Sequence, residues 1–198
     1  MILEYIIIAV YTICLLLIFM YAVAQLNLLF NYLKFKNKED NSPKFDFINP
    51  DEIPFVTIQL PVYNELYVME RLLKNIAKLE YPTEKLEIQV LDDSTDESVE
   101  MTAKHIKIIQ KKGIDIQHIR RTNREGFKAG ALKEGLKIAK GEFIAIFDAD
   151  FLPKKDWLFQ TVPYFKNPEI GVVQTRWGHI NRNYSTLTKI QAFMLDAH

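Results

Sequence analysis

Gly141-Glu-Phe-Ile-Ala-Ile-Phe-Asp-Ala-Asp-Phe-Leu-Pro153 is the stretch that decides how this chain reads. Phe143 to Phe147 is a short run of apolar, aromatic and β-branched residues, which predicts a buried strand. The run stops on two carboxylates, Asp148 and Asp150, with Ala149 between them, and Pro153 closes the turn. Open α/β sheets bind ligands at the carboxyl ends of their parallel strands, which is where this pair falls. Two carboxylates on one turn can share a hard divalent cation, which prefers oxygen ligands and often bridges to a phosphate. Taken alone, the stretch is equally an acidic strand-to-helix turn with Asp150 near a helix start.

On either side the chain alternates strands and helices. Phe55 to Val62 predicts a strand with Pro61 at its end, and Leu86 to Leu91 a second. Between them, Glu65 to Leu79 has Val68, Leu72, Leu73, Ile76 and Leu79 at helical spacing. Asp96 to Lys111 predicts a helix stopped by Gly113, and Ile114 to Ile119 a third strand. Phe127 to Ala139 predicts a helix with Leu132, Leu136 and Ala139 facing inward. Beyond the acidic pair, Asp156 to Phe165 predicts a short helix, Gly171 to Arg176 a strand, and Tyr184 onward a helix. Such repeated units argue for an α/β fold, a mainly parallel sheet with helices on both faces.

The amino-terminal part is different. Tyr5 to Ala24 is apolar over about 20 residues, long enough to span a bilayer as a helix. Glu4 precedes it and Lys34, Lys36 and Lys38 follow, the reverse of a cleavable signal peptide. A retained transmembrane helix is expected, in contact with membrane lipid, with the lysine flank and the rest of the chain in the cytoplasm. Three segments follow: residues 1–33 as helix and flank, 34–53 as a polar juxtamembrane linker carrying Pro43 and Pro50, and 54–198 as the soluble part. With 25 basic and 25 acidic residues there is no excess positive charge for nucleic acid. The single Cys14 cannot form an internal disulfide.

Polar clusters fall at the carboxyl ends of the predicted strands. Pro61-Val-Tyr-Asn-Glu65 offers Tyr63 as a wall for a planar base and Asn64 as a helix cap. In Leu91-Asp-Asp-Ser-Thr-Asp-Glu97, Ser94 or Thr95 suits a helix cap, and Asp96 and Glu97 suit the positive start of that helix. Asp92 and Asp93 remain, and a carboxylate there can accept from the ring N–H of a nucleobase. Arg120, Arg121, Arg124 and Lys128 gather positive charge at a helix start beside Gly126 and Gly130. That placement costs stability unless an anion such as a diphosphate arrives there. A fifth stretch offers Arg176, Trp177 and His179, with Trp177 able to stack on a sugar ring. Each cluster alone also reads as a cap, a solvated turn or a packed loop. Base, diphosphate and metal contacts together would make a site for a nucleoside diphosphate derivative.

In this order the clusters resemble family 2 glycosyltransferases of GT-A fold, over roughly Pro54 to His198. The motifs are Leu60-Pro-Val-Tyr-Asn-Glu65, Val90-Leu-Asp-Asp-Ser-Thr-Asp96, Gly126-Phe-Lys-Ala-Gly-Ala-Leu-Lys-Glu-Gly135, Ile146-Phe-Asp-Ala-Asp-Phe151 and Val173-Gln-Thr-Arg-Trp177. The phrasing is most similar to the cellulose-synthase-like branch, especially membrane β-mannan and glucomannan synthases. The resemblance implies that Pro61, Tyr63 and Glu65 line a nucleoside pocket, that one of Asp92 and Asp93 contacts the base, and that Lys128 lies near the diphosphate. It implies that Asp148 and Asp150 hold Mg2+ or Mn2+. It implies an inverting transfer of a hexose from GDP-mannose or UDP-glucose to a glycan or lipid-linked acceptor.

The family pattern continues with a T-E-D-like segment that supplies the general base and a Q-x-x-R-W segment near the acceptor. Neither occurs before His198, and Gln174-Thr-Arg-Trp177 belongs to an earlier position. The chain therefore reads as the amino-terminal, donor-binding part of the fold, inactive in transfer by itself. Two other readings are a haloacid-dehalogenase-type phosphatase and a non-catalytic nucleotide-sugar-binding membrane protein. The first is disfavoured because its D-x-D follows the first strand.

Overall fold

A computed structural model of the protein describes residues 2–35, 43–46 and 49–195. These fall in two compact units that divide between Asn41 and Ser42. The first is one helix, α1 (Ile2–Phe35), which runs past the predicted end at Ala24. Its span Ile2–Lys34 contains an 18-residue window of mean hydropathy 2.8, none of it buried, so by length and composition it is able to cross a membrane. Lys36 and Lys38 lie outside the described residues.

The second unit is built on four parallel strands: β1 (Val56–Val62), β2 (Leu86–Asp92), β3 (Asp115–Ile119) and β4 (Phe143–Ile146). Their order in the sheet is β3-β2-β1-β4. Between and after them run α2 (Met69–Ile76), α3 (Ser98–Gln110), α4 (Phe127–Leu136), α5 (Trp157–Thr161) and α6 (Thr186–Leu195). The period-2 rule gives the sheet two unlike faces. Val56, Ile58, Leu60, Leu86, Ile88, Val90, Ile116 and Ala145 share one, in register, and pack on Met69, Leu72, Leu73 and Ile76 of α2, Ile106 and Ile109 of α3, and Leu158 of α5. The other face is polar yet buried. Thr57 Oγ1 donates to Glu87 Oε2 at 2.8 Å, Gln59 Nε2 to Gln89 Oε1 at 3.0 Å, and Gln117 Nε2 to Glu87 Oε1 at 3.0 Å. Buried polar groups are tolerated when paired in this way.

α4 covers that polar face. The expectation of Leu132, Leu136 and Ala139 inward is corrected: Ala131 and Gly135 are the buried residues, and Leu136 is 58% exposed. The reason is closeness. A Cβ on Gly135 would sit 2.7 Å from Gln59 Nε2, 2.8 Å from Gln89 Oε1 and 2.8 Å from Leu91 Cδ2, so only small residues fit beneath the helix.

Other expectations also change. Among the described residues β4 is an edge strand rather than a buried one, with Ile146 47% exposed. Gly171 to Arg176 forms no strand. A strand needs a neighbour for its backbone groups, and none pairs with this segment among the described residues; Thr175 instead accepts from the Trp157 indole at 3.2 Å. α2 begins four residues later than predicted, at Met69, and Asn64 does not cap it. Neither Ser94 nor Thr95 caps α3, where Asp96 Oδ1 accepts from the Ser98 N–H at 3.1 Å. Residues 156–165 hold α5 and a following 3-10 turn rather than one helix. The later part of the predicted linker belongs to the second unit, since Phe45 packs edge-on against Phe159 at 4.4 Å.

Gly135→Leu is expected to lower stability by roughly 1–3 kcal/mol through overpacking, although helix propensity favours leucine over glycine by about 1 kcal/mol. Leu136→Ala is expected to stay within about 0.5 kcal/mol, as for an exposed site. Urea unfolding of both variants reads the difference, and the opposite ranking would restore the inward face expected from periodicity.

Candidate functional site

β1 and β2 run side by side to their carboxyl ends, pairing Pro61 with Leu91 and Val62 with Asp92. Pro61 has no N–H to give a ladder, and the pairing of β1 with β4 has already ended at Gln59. Past the strands the two loops are laced together. The Asp93 N–H donates to the Val62 carbonyl at 3.1 Å, and the Asn64 N–H to Ser94 Oγ at 2.9 Å. Asn64 Oδ1 accepts from the Thr95 N–H at 2.9 Å, with Asn64 itself at φ 55°, a left-handed conformation that asparagine tolerates. The residue expected to cap a helix therefore ties two strand ends together.

Between this edge, the start of α4 and the end of β4 opens a cleft of about 330 Å³. Pro61, Tyr63, Glu65, Asp93, Lys128 and Asp148 line it, together with Val62, Leu91, Arg124, Ala131 and Ala149. Six of the eight residues expected at a site thus share one cavity. Asp150 is exposed and outside the lining, one residue beyond Ala149 on the same turn. Asp92 is buried at 1% exposure and points away from the cleft. It accepts from the Ser94 N–H at 2.8 Å and lies 2.7 Å from His118 Nε2. Burial pushes the Asp92 carboxyl up, but the bonds from His118 and Ser94 outweigh it and hold the group below the usual carboxylate range.

The basic segment is more fully occupied than its sequence implies. Arg121 grips Asp93 with two parallel bonds of 2.7 and 2.6 Å, and also donates to the carbonyls of Glu125 at 2.6 Å and Phe127 at 2.7 Å. Arg120 donates to the Ser94 carbonyl at 2.7 Å. Lys128 pairs with Asp148 across the cleft. An arriving anion is thus not needed to explain Arg120 or Arg121. Gly126 at φ 69° turns the chain into α4, and a Cβ on Gly130 would meet the Glu125 carbonyl oxygen at 1.9 Å. The Arg124 guanidinium carbon lies over the Tyr63 ring, 3.3 Å from its centroid.

His118 was not singled out by sequence. Its signal was register: it lies opposite Val90, on the face that carries Asp92. In the 171–179 segment, Trp177 is 55% exposed and tilted against Phe151 at 5.3 Å, so it stands beside the acidic turn. Among the described residues no three His, Cys, Asp or Glu side chains cluster to form a complete metal cage. Asp148 and Asp150 supply hard oxygen donors on one turn beside the cleft, which fits a divalent cation completed by ligand oxygens and water.

A family model described as "Glycosyl transferase family 2" matches residues 57–195. Probable glucomannan 4-beta-mannosyltransferase 11 of Oryza sativa subsp. japonica is 45% identical over 150 residues, which is 73% of this chain and 26% of that protein. Glucomannan 4-beta-mannosyltransferase 1 of Cyamopsis tetragonoloba is 41% identical over 177 residues, 85% of this chain and 32% of that protein. The chain thus spans about a third or less of these relatives. Among solved structures, the mannosyltransferase PcManGT from Pyrobaculum calidifontis in complex with GDP-Man and Mn2+ superposes with a TM-score of 0.60 at 31% identity, covering 78% of this chain and 46% of that one.

The Asp92 bonds carry a pH prediction. Because its carboxyl is depressed in the folded state, its contribution is present above the unfolded value of about 3.9 and is lost as pH falls through the lower folded value. Between about pH 5 and pH 2, Asp92→Asn should lose stability less steeply than the wild type in acid unfolding curves. Parallel curves would remove Asp92 as an acid-sensitive brace.

Proposed function

Since this chain belongs to glycosyl transferase family 2 and carries the GT-A fold, we propose that it binds the donor for a membrane-anchored, inverting hexosyltransferase that elongates a β-glycan. The observation that carries the reading is the single cleft that collects Tyr63, Glu65, Asp93, Lys128 and Asp148 at the carboxyl ends of parallel strands. GDP-mannose is the favoured donor and UDP-glucose its competitor. Two likenesses support that order: the curated relatives are named as mannosyltransferases, and the solved relative is described with GDP-Man and Mn2+.

Each side chain then has a task. Tyr63 walls one face of the base, beside Pro61 and Glu65. Asp93 accepts the base's ring N–H; a carboxylate has about four acceptor sites, so it does this while keeping its two bonds from Arg121. Asp92 stays buried and braces the loop through Ser94 and His118. Lys128 and the first N–H groups of α4 face the diphosphate, where a helix start favours negative charge. Asp148 and Asp150 hold the divalent cation, Mn2+ or Mg2+, which when bound offsets charge on the departing diphosphate. The acceptor hydroxyl attacks the anomeric carbon from the side opposite the diphosphate, inverting its configuration. No cleft residue is assigned as the base that takes the hydroxyl proton. α1 serves as the anchor in this reading, and the lysine flank Lys34, Lys36 and Lys38 supports a cytoplasmic orientation of the chain that follows it.

Titration of the chain in detergent with GDP-mannose and UDP-glucose, with and without Mn2+, tests the reading. Binding is expected to be Mn2+-dependent and to favour GDP-mannose. Asp148→Asn with Asp150→Asn should weaken Mn2+-dependent binding about tenfold or more, since charge-assisted contacts are worth roughly 1.5–3 kcal/mol and about 1.4 kcal/mol is tenfold. Unchanged binding in the double variant would take the cation away from this turn.

A further inference from the structure

Of the cations at the cleft, Arg124 has no hydrogen-bonded acid among the described residues. Arg121 is held by Asp93 and Lys128 by Asp148. The nearest carboxylate to Arg124 is Asp93, 3.9 Å from Nε, and that nitrogen is buried with no hydrogen-bond partner. The guanidinium instead stacks 3.3 Å from the centroid of Tyr63, with the Phe127 ring 5.2 Å from it on a residue held at φ 47°. An aromatic face is a real but weak partner for a cation. A planar group thus already lies on the ring that a planar base would use, and its Nε donor has no hydrogen-bond partner among the described residues.

We propose that Arg124 is a removable plug on the nucleoside half of the cleft: it covers Tyr63 when no phosphate is near, and leaves the ring to bind the phosphates of an arriving nucleotide. The inference rests on reading the cleft as a nucleoside diphosphate site. A nucleoside alone must displace the guanidinium and offers little in return. A nucleoside diphosphate displaces it and supplies paired phosphate oxygens that the planar guanidinium can grip with two parallel bonds. The arrangement therefore selects nucleotides over nucleosides by a penalty as well as an attraction, the two ways in which specificity is made. It also explains why arginine stands here and not lysine, whose ammonium is not planar.

The test is a binding series on the chain in detergent with guanosine, uridine, GDP and UDP, for the wild type, Arg124→Ala and Arg124→Lys. Arg124→Ala should bind the nucleosides about three- to tenfold more tightly, the scale of a lost cation–π contact. It should bind the diphosphates about tenfold or more weakly, the scale of a lost charge-assisted bond. Arg124→Lys, which keeps the charge without the fork, should lose diphosphate affinity to a smaller extent than Arg124→Ala and still bind nucleosides more tightly than the wild type. If nucleoside affinity is unchanged or falls in both variants while the wild type prefers diphosphates, the plug is overturned and the nucleotide site stands. If the wild type binds neither diphosphate, both fall together.

Discussion

The parallel pairing of β1 with β2 is the constraint on which the rest depends. Its register, from Val56 with Leu86 to Val62 with Asp92, brings two strands to the same edge together. That coincidence places the loop bearing Tyr63 beside the loop bearing Asp93. The bonds from Asp93 to Val62 and from Asn64 to Ser94 and Thr95 then fix the two loops as one surface. A slip of one residue would turn the apolar side chains of the slipping strand onto the polar face of its partner. The helix core and the cleft would be lost together.

The unlike faces explain the site's shape. One face is filled by side chains from α2, α3 and α5, as an ordinary core. The other carries Thr57, Gln59, Glu87 and Gln89, which bond to one another and to the Lys140 N–H, a donor to Glu87 at 3.0 Å, and leave Gln89 Nε2 buried without a partner among the described residues. Small residues on α4 let its axis lie close to this layer, and that closeness brings Lys128 to Asp148 and Arg121 to Asp93. The electrostatics of the cleft are thus set by how near one helix can approach a sheet.

Much of this was legible in sequence because it is local. Strands ending on Pro61, Asp92 and Asp148 were read from short apolar runs that stop on polar residues. What was missed is set by distant pairings. Asp93 and Arg121 stand 28 positions apart, so the arginine read as a cation waiting for an anion although its partner was already in the chain. Leu136 sits at a helical spacing that implies burial, but Gln59 and Gln89 leave room for nothing larger than glycine one position earlier. Val172 and Val173 have strand propensity but meet no neighbouring strand among the described residues, and propensity alone is weak. Asn64 was read as a cap because capping is what its residue type most often does near a helix.

In the proposed function, one nucleoside diphosphate and one cation occupy the edge shared by β1, β2, α4 and β4. Amide hydrogen exchange of the chain with and without GDP and Mn2+ reads this most directly. Slowed exchange is expected in three places at once: the loops at 61–65 and 92–95, the start of α4 at 126–131, and the turn at 147–151. α3 and the far ends of the strands should stay unchanged. Protection elsewhere, or none at the turn when Mn2+ is present, would contradict the account.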